Sequence, residues 1–222
     1  MLKWELLEQV KTPDGSLMTL HSNGIDRVIR VNGRELMSTR HHHSEEQLAV
    51  VGCAAFKTKS TARVLIGGLG LGFTLRSALA NLHSEAAVVV AELIPEVLQW
   101  NAKPAYDLGY DCMADGRTQL VIRDVGEVIY RESGGFDAIL LDTDNGTTAM
   151  STEANESLYK AKGLQQVRAA LRPGGNVVYW SAAVEPVFAK LMAKNGFTVE
   201  VQRPRIHPNS GARHTLVIGR KR

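Results

Sequence analysis

The chain has 222 residues, of which 44% are hydrophobic and 22% charged, and its formal net charge is +3. This length and composition predict one large α/β domain, or one domain with a small appendage, that can bury a core. The small net charge gives no general case for nucleic acid or an anionic membrane as a partner. No apolar run approaches the ~20 residues of a membrane span, and the charged N-terminal segment lacks a signal-peptide core, so we expect a cytoplasmic protein.

Residues 1 to about 40 alternate apolar with polar side chains, and three turn sequences interrupt them: Pro13-Asp14-Gly15, Asn23-Gly24 and Asn32-Gly33. This pattern predicts a small antiparallel β-meander. A helix is predicted over residues 44–57, with Ser44 as its N-cap and Gln47 at the capping-box position. We therefore divide the chain into an N-terminal meander, residues 1–43, and a larger domain, residues 44–222.

From about residue 62, short apolar runs alternate with amphipathic stretches. The predicted strands are Arg63–Ile66, Ala87–Ala91, Gln119–Ile122, Ala138–Leu141 and Asn176–Trp180. Helices are predicted near residues 73–82, 95–104, 125–131, 154–171 and 184–194. Continuous apolar strands separated by helices are typical of a parallel sheet that is covered on both faces. Two further strands, Phe197–Gln202 and His214–Ile218, have no helix between them, which predicts an antiparallel hairpin at the sheet edge.

The first predicted strand of this sheet runs into a glycine-rich turn and then a helix. The glycines are Gly67, Gly68, Gly70 and Gly72. Glycine permits unusual dihedral angles and lets a ligand lie against bare backbone, and the following helix points N–H groups at that ligand. A tight strand-to-helix turn without a ligand remains the alternative.

An acidic residue follows each of the next two predicted strands. Glu92 comes about 20 residues after the turn, where a carboxylate accepts hydrogen bonds from ribose hydroxyls; a surface glutamate is the alternative. Asp124 is placed to bind an adenine amino group, to cap the helix over residues 125–131, or to do both.

The fourth predicted strand ends at Asp142, with Asp144 close behind. Open α/β sheets bind substrates at the carboxyl ends of their strands. Two carboxylates in such a cleft suit a cationic substrate, and one of them could deprotonate an ammonium group so that it becomes a nucleophile. A polar turn with capping side chains is the alternative.

Taken together, these motifs resemble class I S-adenosylmethionine-dependent methyltransferases, and more closely the spermidine synthase (aminopropyltransferase) branch of that superfamily. The parallels are residues 1–40, Gly67-Gly68, Glu92-Leu93-Ile94-Pro95, Asp142-Thr143-Asp144 and the scaffold turn Leu171-Arg172-Pro173-Gly174-Gly175. The resemblance implies a Rossmann-like α/β fold, with a mostly parallel sheet, a C-terminal antiparallel hairpin and a preceding β-meander.

The resemblance also implies a site. The glycine turn, Glu92 and Asp124 would bind S-adenosylmethionine or its decarboxylated form as co-substrate. Asp142 would act on the substrate amine as base or electrostatic anchor, with Asp144 assisting. Aminopropyl transfer from decarboxylated S-adenosylmethionine to an amine is therefore the leading function.

The sequence departs from the branch in three places. The glycine turn carries no Asp, and Asn145 stands where a second Asp of the acidic loop is expected. Ser44-Glu45-Glu46 stands where the branch has a Tyr-His-Glu helix start, so only Glu46 matches. S-adenosylmethionine-dependent methyl transfer, or a non-catalytic nucleotide-binding relative, is therefore kept as an alternative. An NAD-dependent oxidoreductase is a weaker one, because the glycine spacing is short for it.

Three adjacent histidines, His41 to His43, precede Glu46, the residue that matches the helix start of the branch. Neighbouring histidines diverge and cannot all face one metal ion, so no metal is predicted. We expect this segment to lie over the substrate cleft, with His43 and Glu46 binding the amine, although a solvated linker fits the residues equally well. The meander leaves sheet edges that a second copy could cover, so a homodimer stays open.

Overall fold

The computed structural model describes residues 3–142, 157–207, 209 and 211–222. The first four strands form an antiparallel meander paired in chain order: β1 Glu5–Lys11, β2 Leu17–Ser22, β3 Arg27–Val31 and β4 Arg34–Ser38. Asn32 and Gly33 both have positive φ, 48° and 80°, which is the conformation that tight hairpin turns require. The predicted meander is confirmed.

The remaining described strands form one seven-stranded sheet. They are β5 Arg63–Gly67, β6 Ala87–Glu92, β7 Thr118–Ile122, β8 Phe136–Leu141, β9 Leu171–Ser181, β10 Phe197–Gln202 and β11 Thr215–Lys221. Their spatial order is β10-β11-β9-β8-β5-β6-β7. Strands β5 to β9 pair in parallel, whereas β11 is antiparallel to both β9 and β10. The predicted hairpin therefore exists, but its second strand lies inside the sheet and only β10 lies at the edge.

Seven α-helices lie entirely within the described part of the chain. They are α1 His43–Cys53, α2 Phe73–Asn81, α3 Pro95–Asn101, α4 Tyr110–Met113, α5 Val125–Tyr130, α6 Ala161–Ala170 and α7 Pro186–Lys194. No helix among the described residues is long and apolar enough to cross a membrane.

The predicted N-cap at Ser44 is wrong. Helix α1 begins one residue earlier, its N-cap is His42, and the His42 side chain makes no capping hydrogen bond to the backbone of the helix. Ser44 is instead fully buried on the inner face of the helix, because its hydroxyl contacts groups of the large sheet.

The hydrophobic core lies on both faces of the large sheet. One apolar cluster joins Leu20 and Ile29 of the meander to Leu48 of α1 and Val64 of β5. A second cluster covers the opposite face. The meander therefore packs into the larger core, over the same side of the sheet as α1 and α2, and we keep the domain boundary at residue 43 as a proposal.

Candidate functional site

The glycine turn directly follows β5. Gly68, Gly70 and Gly72 all have positive φ, at 91°, 54° and 85°. L-amino acids with a side chain avoid this region, so glycine is required for the course of the backbone. The Gly68 N–H donates to Ala91 O at 2.9 Å, which ties the turn to the neighbouring strand.

At each of these glycines, a Cβ would come too close to another part of the protein. It would lie 3.0 Å from Asp142 O at Gly68, 2.7 Å from Met37 Sδ at Gly70 and 2.9 Å from Gly109 Cα at Gly72. The glycines thus serve close packing on these sides. The N–H groups of Gly68, Leu69 and Gly72 already donate within the protein, to Ala91 O, Glu92 Oε2 and Leu69 O.

Glu92 lies at the end of β6 and is 7% exposed. Its Oε2 accepts a hydrogen bond from Leu69 N at 2.8 Å, and its Oε1 accepts one from Ile94 N at 2.9 Å. Burial raises the pKa of Glu92, and these backbone N–H groups oppose the increase. The alternative of a solvated surface glutamate is therefore wrong: the carboxylate braces the glycine turn.

Asp124 follows β7 and is the N-cap of α5. Its Oδ1 accepts hydrogen bonds from Gly126 N at 2.7 Å and Glu127 N at 3.3 Å. The capping role is confirmed, and Oδ2 receives no hydrogen bond from any residue that the structure describes. Contact of that oxygen with adenine stays a prediction.

Asp142 follows β8 and is partly buried beside the turn, where its N–H donates to Gly67 O at 3.1 Å. Its Oδ2 accepts a hydrogen bond from Thr74 Oγ1 at 2.8 Å. Burial raises the pKa of Asp142 to about 6, and the Thr74 hydroxyl opposes the increase. A carboxyl group with this pKa can both accept and release a proton near neutral pH. Asp144, its predicted partner, lies outside the described residues.

The histidine segment lines a cleft of about 520 Å³ together with Thr39, Arg40, Glu46 and His207. Glu46 is the carboxylate of this cleft among the described residues. His42 Nδ1 lies 3.0 Å from its Oε1, and His43 Nδ1 lies 3.6 Å from its Oε2. The His42 ring stacks on Phe73, the first residue of α2, with 4.0 Å between centroids. The structure therefore brings His43 and Glu46 together beside the helix that follows the glycine turn.

Sequence reasoning missed a buried polar cluster behind this cleft. The Ser44 hydroxyl lies 2.5 Å from Glu45 Oε2, 2.8 Å from His214 Nδ1 and 3.1 Å from Trp180 Nε1. Trp180 can only donate and an ionised Glu45 can only accept, so Ser44 donates to Glu45 and is left to accept from His214. Burial lowers the pKa of His214, which makes the neutral form with its proton on Nδ1 the consistent state.

The described residues of the predicted nucleotide site meet at one edge of the large sheet. Four neighbouring parallel strands end in the order β7, β6, β5, β8, which brings Asp124, Glu92, the glycine turn and Asp142 to one edge of the sheet. Within the described part of the chain, no group of three or more His, Cys, Asp or Glu side chains is placed to hold a metal ion. This fold and this edge define a Rossmann-like α/β domain with its candidate site at the carboxyl ends of the parallel strands.

Comparison with solved structures confirms that fold. A spermidine synthase from Thermotoga maritima matches with a TM-score of 0.73 and 19% identity, covering 98% of this chain and 72% of the other. A spermidine synthase in complex with the transition-state analogue AdoDATO matches with a TM-score of 0.76 and 20% identity, covering 98% and 74%.

Sequence comparison agrees. A polyamine aminopropyltransferase from Saccharolobus islandicus strain L.S.2.15 is 27% identical over 201 residues, which cover 85% of this chain and 65% of the relative. One from Saccharolobus solfataricus is 27% identical over 185 residues, covering 83% and 60%. The chain thus spans somewhat less than two thirds of the length of these relatives. No protein-family model matches it. The predicted resemblance to the spermidine synthase branch is confirmed.

Proposed function

We propose that this chain is a transferase that moves an aminopropyl group from decarboxylated S-adenosylmethionine to a small amine. The observation that carries the proposal is Asp142, a partly buried carboxyl group with a pKa of about 6, fixed beside the glycine turn. The names of the similar aminopropyltransferases and spermidine synthases point to the same reaction.

The bound nucleotide supplies an electrophilic carbon next to a sulfonium. The protein's part is to bind and orient it: the backbone of the turn at Gly68 to Gly72 lies along its tail, Glu92 holds the ribose, and Oδ2 of Asp124 accepts from the adenine amino group. Because Glu92 is nearly buried and braced by Leu69 and Ile94, it is held in place before the ligand arrives.

Asp142 prepares the acceptor. An ammonium group has no free electron pair, so the amine must lose a proton before it can attack. Above a pH of about 6 the Asp142 carboxyl group is ionised and takes that proton, with Asp144 assisting. Glu46, flanked by His43, binds the distal ammonium group of a diamine in the histidine cleft.

Methyl transfer from S-adenosylmethionine is the second candidate. The surroundings of Gly70 in the glycine turn favour it. The thioether of Met37, a residue of the meander, packs against Gly70 there, and the turn carries no carboxylate. The ammonium group of the aminopropyl tail would lose water at this point without gaining a counter-charge, which is unfavourable, whereas the tail of S-adenosylmethionine carries its own carboxylate beside its ammonium group.

The two candidates separate in one experiment. The purified chain is incubated with decarboxylated S-adenosylmethionine or with S-adenosylmethionine, plus a short diamine, and the amine products are identified by mass spectrometry. We expect an aminopropyl adduct with the first nucleotide. Methylated amine with the second would support methyl transfer, and calorimetry showing that neither nucleotide nor its thioether product binds would refute both.

A role for Glu46 is tested by Glu46→Gln, with Glu35→Gln as the matched control on the meander. We expect Glu46→Gln to raise the KM for the diamine with kcat little changed, and Glu35→Gln to change neither.

Three further proposals concern location and partners. We propose a cytoplasmic location, an acceptor that is not a nucleic acid, and a homodimer that forms through the edge strands β1 or β4 of the meander. Cell fractionation, binding to short oligonucleotides and sedimentation velocity test them.

A further inference from the structure

The Thr74 hydroxyl lies where three elements meet. Thr74 is in the first turn of α2, immediately after the glycine turn, and is 2% exposed. Its Oγ1 lies 2.8 Å from Asp142 Oδ2 at the end of β8 and 3.3 Å from the backbone oxygen of Glu45 in α1. A hydroxyl has one proton to donate, and the shorter contact is to the carboxylate.

This arrangement makes the two oxygens of Asp142 unequal. Oδ2 accepts from Thr74, whereas Oδ1 receives no hydrogen bond from the residues that the structure describes. Thr74 is buried, and its hydroxyl also lies 3.3 Å from Glu45 O of α1, so the packing around it limits its rotation. The Asp142 side chain is thereby held in one orientation with one oxygen left for a substrate.

Glu45 and Arg76, charged residues on the neighbouring helices, do not orient the Asp142 carboxylate. Glu45, on α1, binds Ser44 through its carboxylate. Arg76, the charged residue of α2, binds Asp111 at 2.9 Å and Leu108 O at 2.6 Å, and so lies on another side of the helix. Among the described residues, the hydrogen bond that reaches the Asp142 carboxylate comes from Thr74.

We propose that Thr74 is a positioning residue for the transfer step: its hydroxyl keeps Asp142 ionised and directs Oδ1 to the amine. In that step an N–H bond of the substrate ammonium breaks and an O–H bond forms on Oδ1. The amine keeps the electron pair that it needs for attack. Burial acts in the opposite direction, raising the pKa of Asp142, and the Thr74 hydroxyl is the contact that lowers it. The inference rests on the proposed function.

Thr74→Val tests it, because valine keeps the shape and removes the hydroxyl, and Thr74→Ser is the matched control that restores it. The Asp142 carboxyl is titrated by ¹³C NMR, with its resonance assigned by its loss in Asp142→Asn. A hydrogen bond to a charged group corresponds to about one to two pH units, so we expect an upward shift of that size in Thr74→Val. Thr74→Ser should titrate close to the wild type.

The pH profile of kcat/KM gives the functional readout. In Thr74→Val the acidic limb of this profile should shift to higher pH, because the pKa of the Asp142 carboxyl is higher. Activity that is lost at neutral pH should therefore return at about pH 9. Affinity for the thioether product should stay unchanged. Thr74→Ala serves as a second variant without the hydroxyl if valine disturbs folding.

An unshifted Asp142 titration in Thr74→Val or Thr74→Ala would overturn the inference, as would a loss of activity that is the same at every pH. The titration needs no turnover. It therefore tests Thr74 even if the chain transfers nothing, an outcome that would overturn the proposed function alone.

Discussion

Replacing Asp142 by Asn should make the protein more stable at neutral pH while removing its activity. The pKa of Asp142 rises from 3.8 to about 6 on folding because its ionised form is buried. At about 1.4 kcal/mol per pH unit, a shift of this size is a destabilisation of at most about 3 kcal/mol. Since part of the side chain is exposed and screened by water, we expect about 1–2 kcal/mol.

The sign of the pH dependence follows from the direction of the shift. A carboxyl group with a raised folded-state pKa contributes its full stability below the unfolded pKa, and that contribution is lost as the pH rises through the folded value. Asn has no such titration. The stability advantage of Asp142→Asn should therefore be near zero at about pH 4, grow through about pH 6 and stay constant above about pH 7.

Urea denaturation of both proteins at a series of pH values measures this difference. Asp111→Asn is the control with the opposite sign: the Arg76 guanidinium lowers the pKa of Asp111, whose side chain is 68% exposed, so this variant should lose a little stability at neutral pH. A pH-independent difference for Asp142→Asn, or a loss of stability at pH 7, would refute the reasoning. Unchanged turnover would show that Asp142 is not the catalytic carboxylate.

Substitutions at three further positions, Gly72, Asp124 and Gly70, test other parts of the site. Gly72→Ala places a Cβ on a residue with a φ of 85°, 2.9 Å from the Gly109 backbone, so its free energy of unfolding in urea should fall by about 2–4 kcal/mol. Gly134→Ala is the control, because Gly134 has a φ of 59° but open space around it, and its free energy of unfolding should fall by only about 1 kcal/mol. Asp124→Ala should lose about 1 kcal/mol with the helix cap, whereas Asp124→Ser should keep the cap and lose nucleotide affinity in calorimetry. If Asp124→Ser binds the nucleotide as tightly as the wild type, the aspartate is a cap alone. Gly70→Ala should be milder than Gly72→Ala in the same denaturation assay, because the flexible Met37 side chain can move away; an equal loss would show that Met37 is held rigidly.

Local pattern was sufficient to predict most of the fold. Strand Phe197–Gln202 is observed with its predicted bounds, and β5 to β8 differ from prediction by one or two residues at one end. A buried parallel strand is a short apolar run, and the glycine and acidic residues that end it are local signals as well. The three acids at strand ends could therefore be placed on one edge from the sequence.

Contacts between distant segments could not be predicted in this way. Ser44 precedes a helical stretch and has the composition of an N-cap, but its hydroxyl bonds to Trp180 and His214, which are 136 and 170 residues away in the chain. Met37 approaches Gly70 only because the meander packs over the turn. The position of β11 could not be predicted for a similar reason. This strand pairs with β10, its neighbour in the chain, and also with β9, which local pattern does not reveal.

The packing of the glycine turn bears on how this motif is used to classify sequences. Because the missing side chains at Gly68, Gly70 and Gly72 leave room for Asp142, Met37 and Gly109, selection for folding alone would retain these glycines. A descendant that had lost every ligand would still carry them. Among divergent homologues, the glycine pattern should therefore track ancestry, whereas retention of the pair Thr74 and Asp142 should separate working transferases from inactive ones.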